Sequence, residues 1–371
     1  MDALSAIIRA ETAASGSIPF RRFMELALYH PQHGYYTSGR ARVGRAGDFF
    51  TNVSVGSLFG RLLARQFAEL WQMLGQPAEF TIVEQGAHGG DFAADALAGL
   101  RSFAPECFEA TRYRIVEPSA ALREMQRGRL AEFAQRVEWC ESQAMLPRWT
   151  GVHFSNELVD AFPVHVVMWD GSTWVEKHVA WGSEGFHFVD QPLASPELAA
   201  ACAAIPTPLA GTITEVNLAA AQWLAETAAR MERGYVLLVD YGWPREEYHS
   251  PTRTTGTLSA YANHQRVENP LTRPGEIDLT SHVNFSALAD AARLVGLELA
   301  GFTDQHHFMV GLGEAHFADG HNASDVRAFQ TLMHPQFMGL AFKVAAFAKR
   351  APLGPLAGFR YARHAGTGYT L

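Results

Sequence analysis

The chain has 371 residues, of which 48% are hydrophobic, so it can bury a large core and form about two domains. Its formal net charge of −8 provides no basic excess to neutralise a phosphate backbone, which disfavours general nucleic-acid binding. No apolar run reaches the ~18 residues of a membrane span, and the N-terminus predicts a short amphipathic helix rather than a signal peptide. Cys107, Cys140 and Cys202 are widely spaced and match no zinc or redox motif, which favours reduced thiols and a cytoplasmic location.

The first predicted region, residues 1–76, combines helical patterns with a glycine-rich loop. Apolar residues recur at helical spacing over 20–29 and 57–74. Between these helices, the run from Gly44 to Thr51 is rich in glycine and polar residues, which predicts a loop. We expect this region to help cover an active site.

From residue 77 onward, short apolar runs alternate with helical patterns. The predicted strands are 80–84, 113–117, 137–139, 151–155, 235–240, 297–302 and 342–349. The predicted helices are 92–103, 120–133, 218–231 and 285–295. This alternation predicts an α/β fold of the Rossmann type, with a mainly parallel sheet and helices on both faces.

Two insertions interrupt the alternation. Aromatic and β-branched runs separated by turns predict an antiparallel β meander and a linker over 164–210, with the pair Asp170-Gly171 as a hairpin turn. Residues 241–284 form a second, long and irregular insertion, which predicts a lid over an acceptor site. The predicted Rossmann-like domain comprises 77–163 and 211–350, and 351–371 form a C-terminal tail.

A glycine turn follows the first strand of the predicted sheet. Glu84 ends that strand, and Gly86 and Gly90 lie in the turn before the next helix. Backbone amides of such a turn can approach a nucleotide-like ligand closely, and an acidic residue there suits a cationic ligand. Glu117 ends the second strand and is placed to accept hydrogen bonds from a ribose diol.

More acidic residues follow the fourth and fifth strands. Asn156, Glu157 and Asp160 come directly after the fourth strand, and Asp240 ends the fifth. Ligands of open parallel sheets bind at the carboxyl ends of the strands, so these side chains are candidates for a reaction centre. Burying one carboxylate is costly, and several at one edge therefore indicate a bound cation, hydroxyl groups or solvent.

The histidines match no metal-binding pattern. His306 and His307 are adjacent, so their side chains would diverge on a strand, and neither belongs to an HxxxH or HExxH motif. We predict no metal cofactor. A Ser/His/Asp hydrolase is also disfavoured, because the chain lacks a GxSxG motif in the required setting.

With these residues in place, the chain resembles the MidA family of S-adenosylmethionine (SAM) dependent methyltransferases from about Phe23 to about Phe347. The resemblance depends on several family-specific runs, namely residues 23–31, 34–36, 47–51, 155–158, 160–161, 240–242 and 278–285. It implies a class I methyltransferase fold with a seven-stranded sheet whose last strand runs antiparallel. SAM is the implied cofactor.

The family resemblance also assigns roles to individual residues. It implies that Glu84, Gly86 and Gly90 form the SAM loop, that Glu117 binds the ribose, and that Asn156 and Glu157 belong to the acidic motif after strand four. A loop near the cofactor or acceptor is implied to contain Gly47, Asp48 and Thr51. The family includes a mitochondrial complex I assembly factor regarded as a protein arginine methyltransferase. The resemblance therefore implies a protein side chain, an arginine, as the acceptor and a link to respiratory complex I assembly.

The SAM loop departs from the family pattern, which resembles Glu-Leu-Gly-Pro-Gly-x-Gly, at Gln85, Ala87 and His88. His88 stands where relatives have the middle glycine, and a glycine there could serve a positive φ or a close approach to the ligand. A second hypothesis is therefore a catalytically silent assembly or binding module with weakened or lost SAM binding. A third hypothesis is a nucleotide-dependent oxidoreductase, but the chain lacks the glycine fingerprint of such enzymes.

Overall fold

The computed structural model describes residues 2–38, 52–262, 265–318, 320, 322–362 and 371, without the side chains of 336 and 337. Its helices are α1 (Ala3–Ser15), α2 (Phe20–Tyr29), α3 (Leu58–Met73), α4 (Asp91–Phe103), α5 (Pro105–Ala110), α6 (Ala120–Arg129), α7 (Pro196–Ala203), α8 (Leu218–Arg230), α9 (Arg245–Tyr248), α10 (Phe285–Leu294), α11 (Gln305–Ala318) and α12 (Ala323–Met333).

The strands of the described residues alternate with these helices along much of the chain. They are β1 (Ile18–Pro19), β2 (Phe80–Gln85), β3 (Thr111–Val116), β4 (Val137–Cys140), β5 (Trp149–Asn156), β6 (His165–Trp169), β7 (Trp174–Gly182), β8 (Gly185–Pro192), β9 (Ile213–Val216), β10 (Met231–Trp243), β11 (Ser259–Ala262), β12 (Gln265–Arg266), β13 (Asp278–Thr280), β14 (Val283–Asn284), β15 (Glu298–Asp304) and β16 (Phe342–Lys349).

The chain divides into two compact units. Unit 1 comprises Met1–Phe49, Val159–Gln222 and Arg245–Val283, and unit 2 comprises Phe50–Leu158, Trp223–Pro244 and Asn284–Leu371. The finer domain boundaries expected from the sequence stay a prediction.

Unit 2 is built on a sheet with the strand order β15-β16-β10-β5-β2-β3-β4. The strands from β10 to β4 pair in parallel, whereas β16 is antiparallel to both of its neighbours. The predicted α/β fold with an antiparallel last strand is therefore confirmed. Buried apolar side chains from α3, α4 and the strands form its core, in which Phe92 stacks on Phe154 with ring centroids 4.3 Å apart.

Unit 1 contains two antiparallel sheets. Strands β1-β7-β6-β9 form one sheet, with β8 added on β7, and the order of the other is β12-β11-β13. The predicted meander thus occurs as β6, β7 and β8, with Asp170 and Gly171 in the first turn. The prediction of an irregular insertion over 241–284 was incomplete, because that stretch contains α9 and a small sheet.

His306 and His307 lie in the first turn of helix α11, which the sequence analysis did not predict. Both rings have hydrogen-bond partners, the carbonyl oxygen of Met333 for His306 and the carboxylate of Asp304 for His307.

None of the described helices combines the length and the apolar character needed to cross a membrane. The three cysteines are free thiols; Cys107 and Cys202 are buried and Cys140 is partly exposed.

We expect Gly234 to be essential for the sheet of unit 2. Its φ is 147°, and a Cβ atom there would lie 2.0 Å from the carbonyl oxygen of Gly151 on the neighbouring strand. Gly234→Ala should lower the free energy of unfolding by about 3 kcal/mol, through strain and overpacking. Denaturant unfolding measures this loss.

Gly128→Ala is the matched control, since Gly128 lies on α6 with open space around the new methyl group. It should raise the free energy of unfolding by about 0.5 kcal/mol through helix propensity. Equal stability of Gly234→Ala and the wild type would contradict the close approach of these two strands.

Candidate active site

Four carboxylates follow the carboxyl ends of neighbouring parallel strands in unit 2. Glu84 lies on β2, Glu117 follows β3, Glu157 follows β5, and Asp240 lies on β10. In this sheet β2 pairs with β3 on one side and with β5 on the other, so the chain changes direction of winding at β2. Open α/β sheets bind ligands at such a switch point.

The turn after β2 has a backbone suited to close approach. Gly86 and Gly90 have φ values of 84° and 86°, in the left-handed region that favours glycine. A Cβ atom on Gly86 would make only ordinary contacts with Leu158, so the positive φ rather than crowding favours glycine there. His88 also takes a positive φ, 42°, the conformation that the middle glycine of the family pattern would adopt freely.

Glu84 is buried beneath this turn. The phenolic O–H of Tyr113 donates a hydrogen bond to its Oε2 atom at 2.7 Å, and 3% of Glu84 is exposed. Burial raises the pKa of Glu84 to about 7, and the hydrogen bond from Tyr113 partly offsets this. Burial thus disfavours the ionised form of Glu84, and a nearby cation would stabilise that form.

Glu117 follows β3 and is also buried. The backbone N–H of Ser119 donates to its Oε1 atom at 2.8 Å, which fixes the direction of the carboxylate. Burial raises the pKa of Glu117, while hydrogen bonds from Ser119 and Gln126 and the charge of Arg123 oppose the rise.

Glu157 occupies a strained backbone position. Its φ is 53°, rare for a side chain with a Cβ atom, and its N–H donates to the carbonyl oxygen of Val239 at 2.9 Å. Burial raises its pKa to about 8; the negative charge of Asp240 adds to the rise, and the side chain of Asn156 opposes it. Strain of this kind costs about 1–3 kcal/mol and clusters at functional sites.

A chain of side-chain amides orients the Glu157 carboxylate. Gln305 donates to Asn52 at 2.8 Å, Asn52 donates to Asn156 at 3.0 Å, and Asn156 donates to Glu157 at 2.9 Å. Gln305 and Asn52 are fully buried, so neither amide can rotate without losing hydrogen bonds. The Glu157 carboxylate is thus held in one orientation although it lies at the end of a strand.

Asp240 is the fourth carboxylate of this edge, with 1% of the residue exposed. Its Oδ1 atom accepts a hydrogen bond from the backbone N–H of Tyr241 at 2.8 Å. Its charge disfavours ionisation of Glu157 and thereby adds to the rise in the pKa of that group.

The remaining predicted site residues are Asp160, Gly47, Asp48 and Thr51. Asp160 belongs to unit 1, in a short 3₁₀ helix (Val159–Ala161), where it is buried and its carbonyl oxygen accepts a hydrogen bond from Ser281. Gly47, Asp48 and Thr51 lie outside the described residues. Within the described ranges, no group of three or more His, Cys, Asp or Glu side chains is arranged to hold a metal ion.

Sequence reasoning did not find three of the residues that shape this site. Tyr113 contacts Glu84, and Asn52 and Gln305 orient Asn156. Gln305 lies 253 residues from Asn52 in the chain, and no motif joins them. The position of Asn52 directly after the run Gly47 to Thr51 was the available signal.

Named relatives give the first comparison. The chain is 27% identical to the mitochondrial "Protein arginine methyltransferase NDUFAF7 homolog" of Drosophila melanogaster, over 91% of this chain and 83% of the relative. It is 28% identical to the human mitochondrial "Protein arginine methyltransferase NDUFAF7", over 95% and 84%. The cytoplasmic location expected from the sequence is contradicted by these names, which place both relatives in mitochondria.

A solved structure and a family model give the second comparison. A Burkholderia thailandensis protein bound to S-adenosylhomocysteine is 34% identical, with a TM-score of 0.89 over 97% of this chain and 95% of that one. The sequence model of a family described as S-adenosyl-L-methionine-dependent methyltransferases matches residues 62–303. The chain therefore belongs to this MidA-like family of SAM-dependent methyltransferases.

Proposed function

We propose that this SAM-dependent methyltransferase methylates an arginine side chain of a protein, with Glu157 as the group that orients the acceptor nitrogen and accepts its proton. The observation that carries the proposal is the Glu157 carboxylate, fixed by the amide chain at the end of the central strand β5. A carboxylate is the natural partner of a guanidinium group. The printed names of the relatives support arginine as the acceptor.

The residues of unit 2 fit the cofactor. Gly86 and Gly90 give the turn after β2 its left-handed backbone, and Glu84 and Glu117 offer buried carboxylates for cationic and hydroxyl groups. We propose that Glu84 acts toward the amino-acid part of SAM and Glu117 toward the ribose. The roles of Gly47, Asp48, Thr51 and Asp160 stay predictions.

SAM supplies a methyl group on a sulfonium sulfur, which becomes a neutral thioether when the methyl group leaves. In the transfer, the carbon–sulfur bond breaks as a carbon–nitrogen bond forms, and the acceptor nitrogen loses one proton. Glu157 takes this proton and must therefore be ionised beforehand. Most of the rate gain comes from alignment of the nitrogen with the methyl group, which a fixed carboxylate provides.

The catalytically silent alternative is not favoured. His88 adopts a positive φ although it is not glycine, and a protein 34% identical over 97% of this chain is bound to S-adenosylhomocysteine. A link to respiratory complex I assembly stays a prediction from the family resemblance.

The acceptor is tested with extract from a strain that lacks this protein. The extract is incubated with the purified enzyme and SAM labelled in the methyl group, and labelled proteins are hydrolysed to amino acids. Label in methylated arginine is the expected result. Label in another amino acid, or only in small molecules, would overturn the arginine assignment.

Glu157→Gln should separate binding from chemistry. The amide keeps the shape of the side chain but cannot accept the proton, so we expect the SAM dissociation constant to stay within about threefold and turnover to fall at least 100-fold. Calorimetry and single-turnover rates measure the two effects. Wild-type turnover in this variant would remove Glu157 from the mechanism.

The raised pKa of Glu157 also predicts a pH dependence of stability. The folded state holds its proton up to about pH 8, whereas the unfolded chain releases it near 4.5. The contribution of the Glu157 carboxyl group to the free energy of unfolding is therefore complete below about pH 4.5. It is lost as the pH rises toward 8. The free energy of unfolding of Glu157→Gln should therefore increase relative to that of the wild type as the pH rises across this range. A constant difference would contradict the raised pKa.

A further inference from the structure

Gln126 connects the turn after β2, residues 86–90, to two neighbouring elements of unit 2. This turn is called the cofactor loop below. It lies on α6 with none of its surface exposed, and its Nε2 atom donates to the carbonyl oxygen of His88 at 2.8 Å. Its methylene groups pack near Gly90, where an added Cβ atom would lie 3.5 Å from Cγ of Gln126. One side chain thus contacts both the strained residue and the last glycine of the loop.

Trp139 fixes the direction of the Gln126 amide. The indole N–H of Trp139 donates to Oε1 of Gln126 at 2.9 Å, and an indole nitrogen cannot accept a hydrogen bond. Oε1 must therefore point toward β4, which directs the NH₂ group toward the loop. The same amide also favours the charged form of Glu117 through a side-chain hydrogen bond.

The backbone of His88 needs such support. A non-glycine residue at a φ of 42° costs about 1–3 kcal/mol relative to relaxed backbone. A buried hydrogen bond to the carbonyl oxygen of His88 offsets part of that cost and would be lost if the peptide rotated. A glycine at this position would reach the same conformation without help.

We propose that Gln126 is a positioning residue that holds the cofactor loop in its binding conformation at His88, and that Trp139 sets the direction of its amide. The chain thereby tolerates histidine where the family pattern has glycine. This inference depends on SAM binding and is independent of the acceptor and of Glu157.

The test is a thermodynamic cycle on SAM affinity, measured by calorimetry with Gln126→Leu, His88→Gly and the double variant. Gln126→Leu should weaken SAM binding about tenfold, mainly because the loop loses the hydrogen bond to the carbonyl oxygen of His88, and should raise KM for SAM more than it lowers kcat. His88→Gly alone should change affinity less than threefold. The double variant should recover at least threefold of the affinity that Gln126→Leu loses.

A merely structural role of Gln126 would not produce this rescue, because His88→Gly adds no packing near the leucine. Wild-type affinity in Gln126→Leu, or no recovery in the double variant, would overturn the proposal. Should Gln126→Leu fail to fold, Trp139→Phe tests the same chain of contacts. It should weaken SAM binding about threefold and be rescued by His88→Gly, and unchanged affinity would overturn the proposal.

Discussion

The cost of burying negative charge at one edge of a parallel sheet governs the site in unit 2. Glu84, Glu117, Glu157 and Asp240 are all held at the carboxyl ends of adjacent strands, and burial raises the pKa of the three glutamates. Each ionised carboxylate there is unfavourable by itself. A cationic ligand would offset this cost, which supports the proposal that these carboxylates favour the sulfonium and ammonium charges of SAM.

Backbone strain occurs in the same place as this charge. His88 and Glu157, two of the few non-glycine residues with positive φ, belong to the turns after β2 and β5. Each is supported by buried hydrogen bonds, from Gln126 for His88 and through Asn156 for Glu157. The rigid sheet thus carries two turns in costly conformations, as expected where a site is built in advance of its ligand.

The sequence predicted the sheet well and the supporting side chains poorly. The strands of unit 2 are short buried runs between helices of clear period, so Phe80–Gln85 and Phe342–Lys349 were found nearly to the residue. Glycines and acidic residues at strand ends also indicated the ligand edge. Asn52, Tyr113, Gln126 and Gln305 act through contacts across the fold, and pattern reasoning has no access to contacts between distant residues. The helix α11 was missed because its burial removes the polar face that marks a helix.

The central claim is that the turn containing His88 binds SAM in this negatively charged edge. Titration calorimetry of the purified protein with SAM, and with NAD as a comparison ligand, tests it directly. Saturable binding of one SAM per chain with no heat from NAD is the predicted result. Absence of heat with SAM at millimolar concentration would contradict it and leave the fold without its cofactor.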